Sequence, residues 1–377
     1  MNDLRRGERL ATANQKPGDE FYRPRSALWW FYLISCALCG IALAVFLWPR
    51  VAPPAGTLLL TSPLSLGGVA LFVLAMAACD PYRARRPRIM LAAFVSGATI
   101  AAYLSVKVNA ALPVVVLHLL GEQSAQQWFA GLVGPTSEEW MKTACILLVM
   151  LIARETMTRP MHGLMVGGFV GLGFQVLENL SYLAKGALDS PDSDIKGLLL
   201  VGFVRFFSGF TSHQLYSAII GVGVAVLLGR VVGDKWSLNR RLLVFTGFYA
   251  LGWFIHFLWN SPAPTAWGNA GVIALMPVKI ACYLAMLTPV LRWVWRQERD
   301  YLRAAASAVT GDQLDELENA AIGDRRTRRS FVKETRRRGG RSGVRRARHE
   351  MRIYLERLQE WGRCSAGADT PGIRKTL

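Results

Sequence analysis

The sequence has 377 residues, 52% of them hydrophobic and 19% charged, with 44 Lys and Arg against 26 Asp and Glu and a net charge of +18. Residues 1–26 hold 6 basic and 4 acidic side chains and residues 296–377 hold 20 and 12, which leaves only 18 and 10 for the 269 residues between them. A polar head and tail around so apolar a middle exclude a disordered chain, a disulfide scaffold and an ordinary soluble domain.

In chain order, the middle divides into eight apolar runs of the length that crosses about 30 Å of hydrocarbon as helix: 27–48, 58–79, 89–108, 126–153, 161–183, 200–229, 242–260 and 270–295. The expected fold is all-α: a polytopic membrane protein with about eight transmembrane helices. A cytoplasmic N-terminal segment (1–26) precedes the transmembrane domain (27–295), and a basic, largely helical cytoplasmic tail (296–377) follows it. The first run ends in Trp48-Pro49-Arg50 with no small-residue cleavage site, so it reads as a retained anchor. Its Cys36-x-x-Cys39 reads as small apolar side chains in a membrane helix, because no redox-type βαβ pattern surrounds it. The stretch 109–125 is apolar but short and is expected at the interface. In 126–153, Gly134-Pro135 is expected to start or kink a helix. The run 200–229 is too long for one straight crossing and is expected to begin with a tilted or re-entrant piece.

Basic residues concentrate in alternate loops. Arg83, Arg85, Arg86 and Arg88 lie in the second loop, Arg154 and Arg159 in the fourth, and Arg230, Lys235, Arg240 and Arg241 in the sixth. The loop 49–57 has only Arg50, and 261–269 has no charge. By the positive-inside rule both termini are cytoplasmic.

Ionisable residues inside spans mark function, since a central one costs roughly 2.5–3.5 kcal/mol on insertion. The fourth run contains Glu138, Glu139 and Lys142, with Glu138 and Lys142 one turn apart. An ion pair gluing two helices would explain one Glu and leave the second unexplained. The fifth has Gly163, Gly167 and Gly171 at spacing four, a stripe for close helix approach, followed by Phe174, Gln175, Glu178 and Asn179. The sixth places Gly209, His213, Ser217, Gly221 and Ala225 on one small-residue face, and the seventh aligns Gly252, His256 and Asn260. Given the alternation of spans, these groups share one depth in the outer half of the bilayer. One polar cavity among four helices, open to the extracytoplasmic side, is the expected arrangement. Arg205 is expected to snorkel to the headgroups.

Such a set suits activation of water, with a carboxylate as general base and His and Asn donating to an oxyanion. It equally suits a metal site with His213, His256 and a Glu as ligands. No H-E-x-x-H, no G-x-S-x-G and no phosphate-cradling glycine loop is present.

The ordered motifs EExxK (Glu138, Glu139, Lys142), FxxxE (Phe174, Glu178) with Asn179, SHxxxS (Ser212, His213, Ser217) and HxxxN (His256, Asn260) resemble the PrsW family of intramembrane proteases. That family is related to the CAAX-prenyl-protease and bacteriocin-processing superfamily, and the resemblance covers roughly residues 120–295. It implies an intramembrane endopeptidase of the bacterial cell membrane. The implied substrate is a single-span protein such as an anti-sigma factor, cut near its extracytoplasmic boundary in envelope-stress signalling. It further implies that Glu138 or Glu139 activates water, that His256 and Asn260 polarise the scissile carbonyl, and that Glu178 and His213 orient or bind. Lys142, Phe174, Asn179 and Ser217 would support them. The cofactor stays open between Zn2+, held in part by His213 and His256, and a metal-free glutamate mechanism. Superfamily relatives often carry His at the position of Glu178, so this chain lacks one potential ligand there. The competing readings are a proton- or ion-coupled transporter, against which no internal repeat is found, and a non-enzymatic immunity or scaffold protein.

In the tail, residues 325–352 carry 13 basic and 2 acidic side chains. With Phe331 their only aromatic residue, the anionic lipids of the inner leaflet are a better-suited partner than nucleic acid. A capping box is expected at Thr310 and Gln313. The 343–361 helix aligns Met351, Tyr354, Leu355, Leu358 and Trp361 for packing on a partner or the membrane.

Overall fold

A computed structural model describes residues 21–209, 211–233, 235–262, 268–310 and 314–367. Most of the N-terminal segment 1–26 lies outside the described residues. Among those described, every regular element is helical. They are α1 (Ala27–Val51), α2 (Ala55–Cys79), α3 (Pro87–Ser96), a π-helical turn (Gly97–Ala101), α4 (Ala102–Leu120), α5 (Glu122–Ile152) and α6 (Pro160–Asp189). α7 (Asp194–Gly209), α8 (His213–Leu227), α9 (Leu238–Asn260), α10 (Gly268–Thr310), α11 (Glu316–Ile322) and α12 (Arg325–Gly367) follow.

Among the described residues, seven stretches are long and apolar enough to cross a membrane: α1, α2, Pro87–Leu120, α6, Asp194–Leu227, α9 and the Ala274–Val309 part of α10. α5 has 31 residues and the length to cross, but Glu138, Glu139 and Lys142 sit in its middle. The protein is thus an all-α, multi-pass membrane protein.

Two expectations need correction and a third holds. Residues 109–120 are not a separate interfacial piece; they continue the helix that begins at Pro87, through the π turn, until Gly121 breaks it at φ 74°. Of the two roles expected for Gly134-Pro135, starting a helix is ruled out, because Pro135 lies inside α5. As expected, the 200–229 run is not one straight crossing: it divides into two helices between Gly209 and His213, so that His213 is the first residue of α8.

α6 and α8 form the centre, with α3, α5 and α7 against α6 and with α9 against both α8 and α5. Their seam is a contact of backbones. A Cβ on Gly167 would strike the Ser217 carbonyl oxygen, and one on Gly171 the His213 carbonyl oxygen. The glycine stripe therefore lets the two helices approach until main chain meets main chain. α1 and α2 lie outside, with Leu38, Ile41, Val45, Leu59 and Leu64 exposed, as suits a lipid-facing layer.

α10 continues into the tail. α11 begins with a capping box of Asp315 and Glu318; of the box expected at Thr310 and Gln313, Gln313 falls outside the described residues, and Thr310 is the last residue of α10. α12 bends at Gly340 (φ 61°, ψ −154°). Met351, Leu355 and Leu358 are buried in one cluster with Tyr82, Tyr301 and Leu302. The amphipathic face of the tail is thus covered by the chain's own α10 and the loop after α2. A buried polar hub locks this junction. Arg159 Nε donates to Glu298 Oε2 at 3.0 Å, and Gln359 Nε2 donates to Glu298 Oε1 at 2.6 Å and to the Tyr82 carbonyl at 3.1 Å. The guanidinium of Arg159 also lies 3.8 Å over the ring of Tyr301.

Candidate active site

α5, α6, α8 and α9 bring together the residues that the sequence singled out. From α5 come Glu138, Glu139 and Lys142, all buried. Lys142 Nζ is 2.7 Å from Glu139 Oε1, 3.8 Å from Glu138 Oε2 and 3.0 Å from His213 Nδ1. Its ammonium also sits 4.5 Å over the ring of Phe174, which packs on His213 with centroids 4.9 Å apart. The cost of burying this lysine is therefore offset by one tight carboxylate, an imidazole and an aromatic face.

Each histidine is held by a carboxylate. His256 Nδ1 lies 2.7 Å from Glu139 Oε1, and His213 Nε2 lies 2.8 Å from Glu178 Oε2. An ionised carboxylate only accepts, so these contacts place the imidazole protons on His256 Nδ1 and His213 Nε2. The imidazole lone pairs are then at His256 Nε2, which accepts from Asn260, and at His213 Nδ1, which accepts from Lys142. They lie 3.9 and 3.6 Å from Glu138 Oε2. That oxygen is itself buried and makes no hydrogen bond among the described residues. The two rings stand nearly perpendicular at 5.1 Å, and Tyr216 stacks on His256 at 4.7 Å. Asn260 Nδ2 reaches His256 Nε2 at 3.2 Å and the Ala130 carbonyl at 3.2 Å.

Three acceptors thus converge on one small volume, and Glu138, His213 and His256 offer ligand atoms within 4.8 Å of one another. One carboxylate and two imidazoles, each imidazole oriented by a second carboxylate, is a donor set that could hold a metal ion and leave a position open. His213 enters from the start of α8, and Glu178 on α6 orients it.

Two assignments change. Arg205 does not snorkel: it donates to Glu178 through Nη2 and to Asn179 Oδ1 through Nε at 2.6 Å, with its guanidinium 4.6 Å over the Tyr182 ring. Ser217 is fully buried, but its hydroxyl makes no hydrogen bond among the described residues, and its carbonyl faces Gly167 in the α6–α8 seam. It serves helix contact. Two residues that the sequence did not single out join the site. Asn109 accepts from Ser137, one residue before Glu138, and Tyr216 backs His256; outside the site itself, Lys279 Nζ caps the end of α9 at the Leu258 carbonyl, 2.9 Å away. Asn109 was legible only once 109–120 was recognised as helix.

Glu138 and Glu178 line a cavity of about 800 Å³ between α1, α4, α5 and α6. Glu139 does not line it, being fully enclosed by Lys142 and His256.

The family model described as PrsW family intramembrane metalloprotease matches residues 85–291, more than half of the chain and all of the clustered residues. Neither a curated protein nor a solved structure matches the chain. The chain therefore belongs to the PrsW family, and the buried Glu, His and His cluster beside a cavity lies in a multi-pass membrane protease.

Proposed function

We propose that the protein is an endopeptidase for a single-span membrane protein, such as an anti-sigma factor, cut near its extracytoplasmic boundary by water activated beside Glu138. The observation that carries this reading is the convergence of Glu138 Oε2 with two carboxylate-oriented imidazoles, Glu138 being the one of the three that lines the cavity. Glu138 is the member of the Glu-Glu pair that a water in the cavity can reach, and it accepts the proton of that water. Glu139 and Glu178 keep the histidines in one tautomer and one orientation. Asn260, one turn from His256, would donate to the substrate carbonyl as negative charge develops by giving up its present bond to the Ala130 carbonyl.

The donor set fits Zn2+ held by Glu138, His213 and His256. Such an ion, when bound, supplies a Lewis acid and lowers the pKa of water. One observation favours a second reading: Lys142 Nζ already stands 3.0 Å from His213 Nδ1, so its ammonium is a candidate for the cation that the three acceptors require. Cleavage of a single-span reporter in proteoliposomes separates these readings. With a metal, the purified protein holds about one equivalent, a chelator stops cleavage, and His256→Ala loses the ion. With Lys142 as the cation, chelation changes nothing. Cleavage that survives both Glu138→Gln and His256→Ala would overturn the site in either form.

The same reading places the protein in the bacterial cell membrane with both termini cytoplasmic, supported by the basic loops. It gives the tail the anionic inner leaflet as partner, since Arg325, Arg326, Arg329, Lys333 and Arg336 are all exposed.

A further inference from the structure

The cavity that reaches Glu138 changes character toward its rim. Deep in it lie Glu138, Glu178 and Ser105, whose buried hydroxyl makes no hydrogen bond among the described residues. Its middle is apolar, with Leu47, Val106 and Leu177. At the rim stand Arg50, Lys107 and Lys185, contributed by the end of α1, by α4 and by the end of α6, all exposed. Lys185 is paired with Asp189 on its own helix. Arg50 and Lys107 have no carboxylate partner among the described residues; they rest over the rings of Phe46 and Tyr103, at 4.7 and 5.4 Å. The rim therefore carries two positive charges that nothing in the described chain answers.

A peptide bond can be attacked only once its segment leaves the closed hydrogen bonding of a membrane helix, and the freed groups then need partners. Ser105 and Asn109 on the cavity wall are such partners. Glu178 and Lys185 are seven residues apart on α6. That is about 10 Å of helix rise at ~1.5 Å per residue, a span that an extended chain covers in roughly three residues at ~3.3 Å each.

We infer that the substrate enters this cleft as an extended segment, and that Arg50 and Lys107 select substrates bearing an acidic residue a few positions to the outer side of the scissile bond. This rests on the protease reading above. Exposed ion pairs of this kind change binding by up to about five-fold each, and salt screens them. The preference therefore resides in KM.

The test uses the full chain in phosphatidylcholine proteoliposomes with single-span reporters that differ only in Asp, Asn or Lys at each of the first few positions beyond the apolar segment. The wild type is expected to cut Asp reporters with the lowest KM at one or two adjacent positions, by roughly three- to ten-fold over Lys reporters, and less so in high salt. Arg50→Glu with Lys107→Glu should invert the preference, and Arg50→Gln with Lys107→Gln, a milder pair, should flatten it. Rates that ignore flank charge in the wild type, while Glu138→Gln abolishes cleavage, overturn the inference and leave the protease reading standing. Reporters cut by neither protein, or equally by the wild type and Glu138→Gln, overturn both.

Discussion

Replacing Arg205 by Ala removes three contacts at once: the charge-assisted bond to Glu178, the bond to Asn179 at 2.6 Å and the stack on Tyr182 at 4.6 Å. Arg205 is 16% exposed and Glu178 23%, so solvent screens the pair only in part. A hydrogen bond to a charged group contributes about 1.5–3 kcal/mol; allowing for the partial exposure, about 1.5–2.5 kcal/mol acts on the orientation of Glu178. Glu178 in turn holds His213 Nε2 at 2.8 Å. If that loss passes to His213, kcat/KM falls about ten- to sixty-fold at ~1.4 kcal/mol per decade, within the range seen when groups that orient a ligating histidine are removed. Arg205→Lys keeps the charge without the fork and should fall between. The assay is reporter cleavage in proteoliposomes for wild type, Arg205→Ala, Glu178→Gln and the double variant. Because both substitutions break one chain of contacts, their effects should not multiply. Arg205→Ala acting within two-fold of wild type, or losses that multiply fully, would refute the proposed coupling.

Gly167→Ala drives a Cβ into the Ser217 carbonyl oxygen, and such overpacking costs about 1–3 kcal/mol. Its melting temperature in detergent and its activity should both drop, while Gly56→Ala, which meets open space, should change neither. Glu298→Ala leaves Arg159 buried without its carboxylate, a loss of about 3–5 kcal/mol at the tail junction; trypsin should then cut α12 faster, and unchanged digestion would contradict the docking role. The bidentate bond from Arg23 holds the Glu155 carboxyl below its usual range. Its folded-state pKa is depressed, so its stabilisation is present above the ordinary carboxylate pKa and is lost as pH falls through the lowered one. For so exposed a pair it is below about 1 kcal/mol. Thermal scans of Glu155→Gln and wild type should show a small gap at neutral pH that closes in acid; a gap constant with pH contradicts this.

Most of the site was legible because membrane burial makes polar residues conspicuous. Glu138, Glu139, Lys142, Glu178, His213, His256 and Asn260 stood out against an apolar background, and the glycines at spacing four showed which faces meet. Periodicity along a single helix could not show pairing across helices. Arg205 looked like a snorkelling side chain because only the fold places Glu178, Asn179 and Tyr182 around it. The division of labour between Glu138 and Glu139 was likewise hidden. Adjacent residues on a helix point about 100° apart, and which of them faces the cavity depends on where α6 and α9 lie. The boundary at 109–125 was misjudged for another reason: the helix from Pro87 to Leu120 runs past the length a bilayer needs, so the drop in apolar character did not mark its end.

The α6–α8 seam bears on how the enzyme meets membranes of different thickness. Mismatch between a hydrophobic span and its bilayer is relieved by tilting or sliding helices, at fractions of a kcal/mol per Å. Helices whose main chains already touch at Gly167 and Gly171 cannot slide without collision. Adjustment to a thinner or thicker bilayer therefore falls to the loosely packed α1 and α2, and the register of Glu178 against His213 stays the same from one lipid composition to the next.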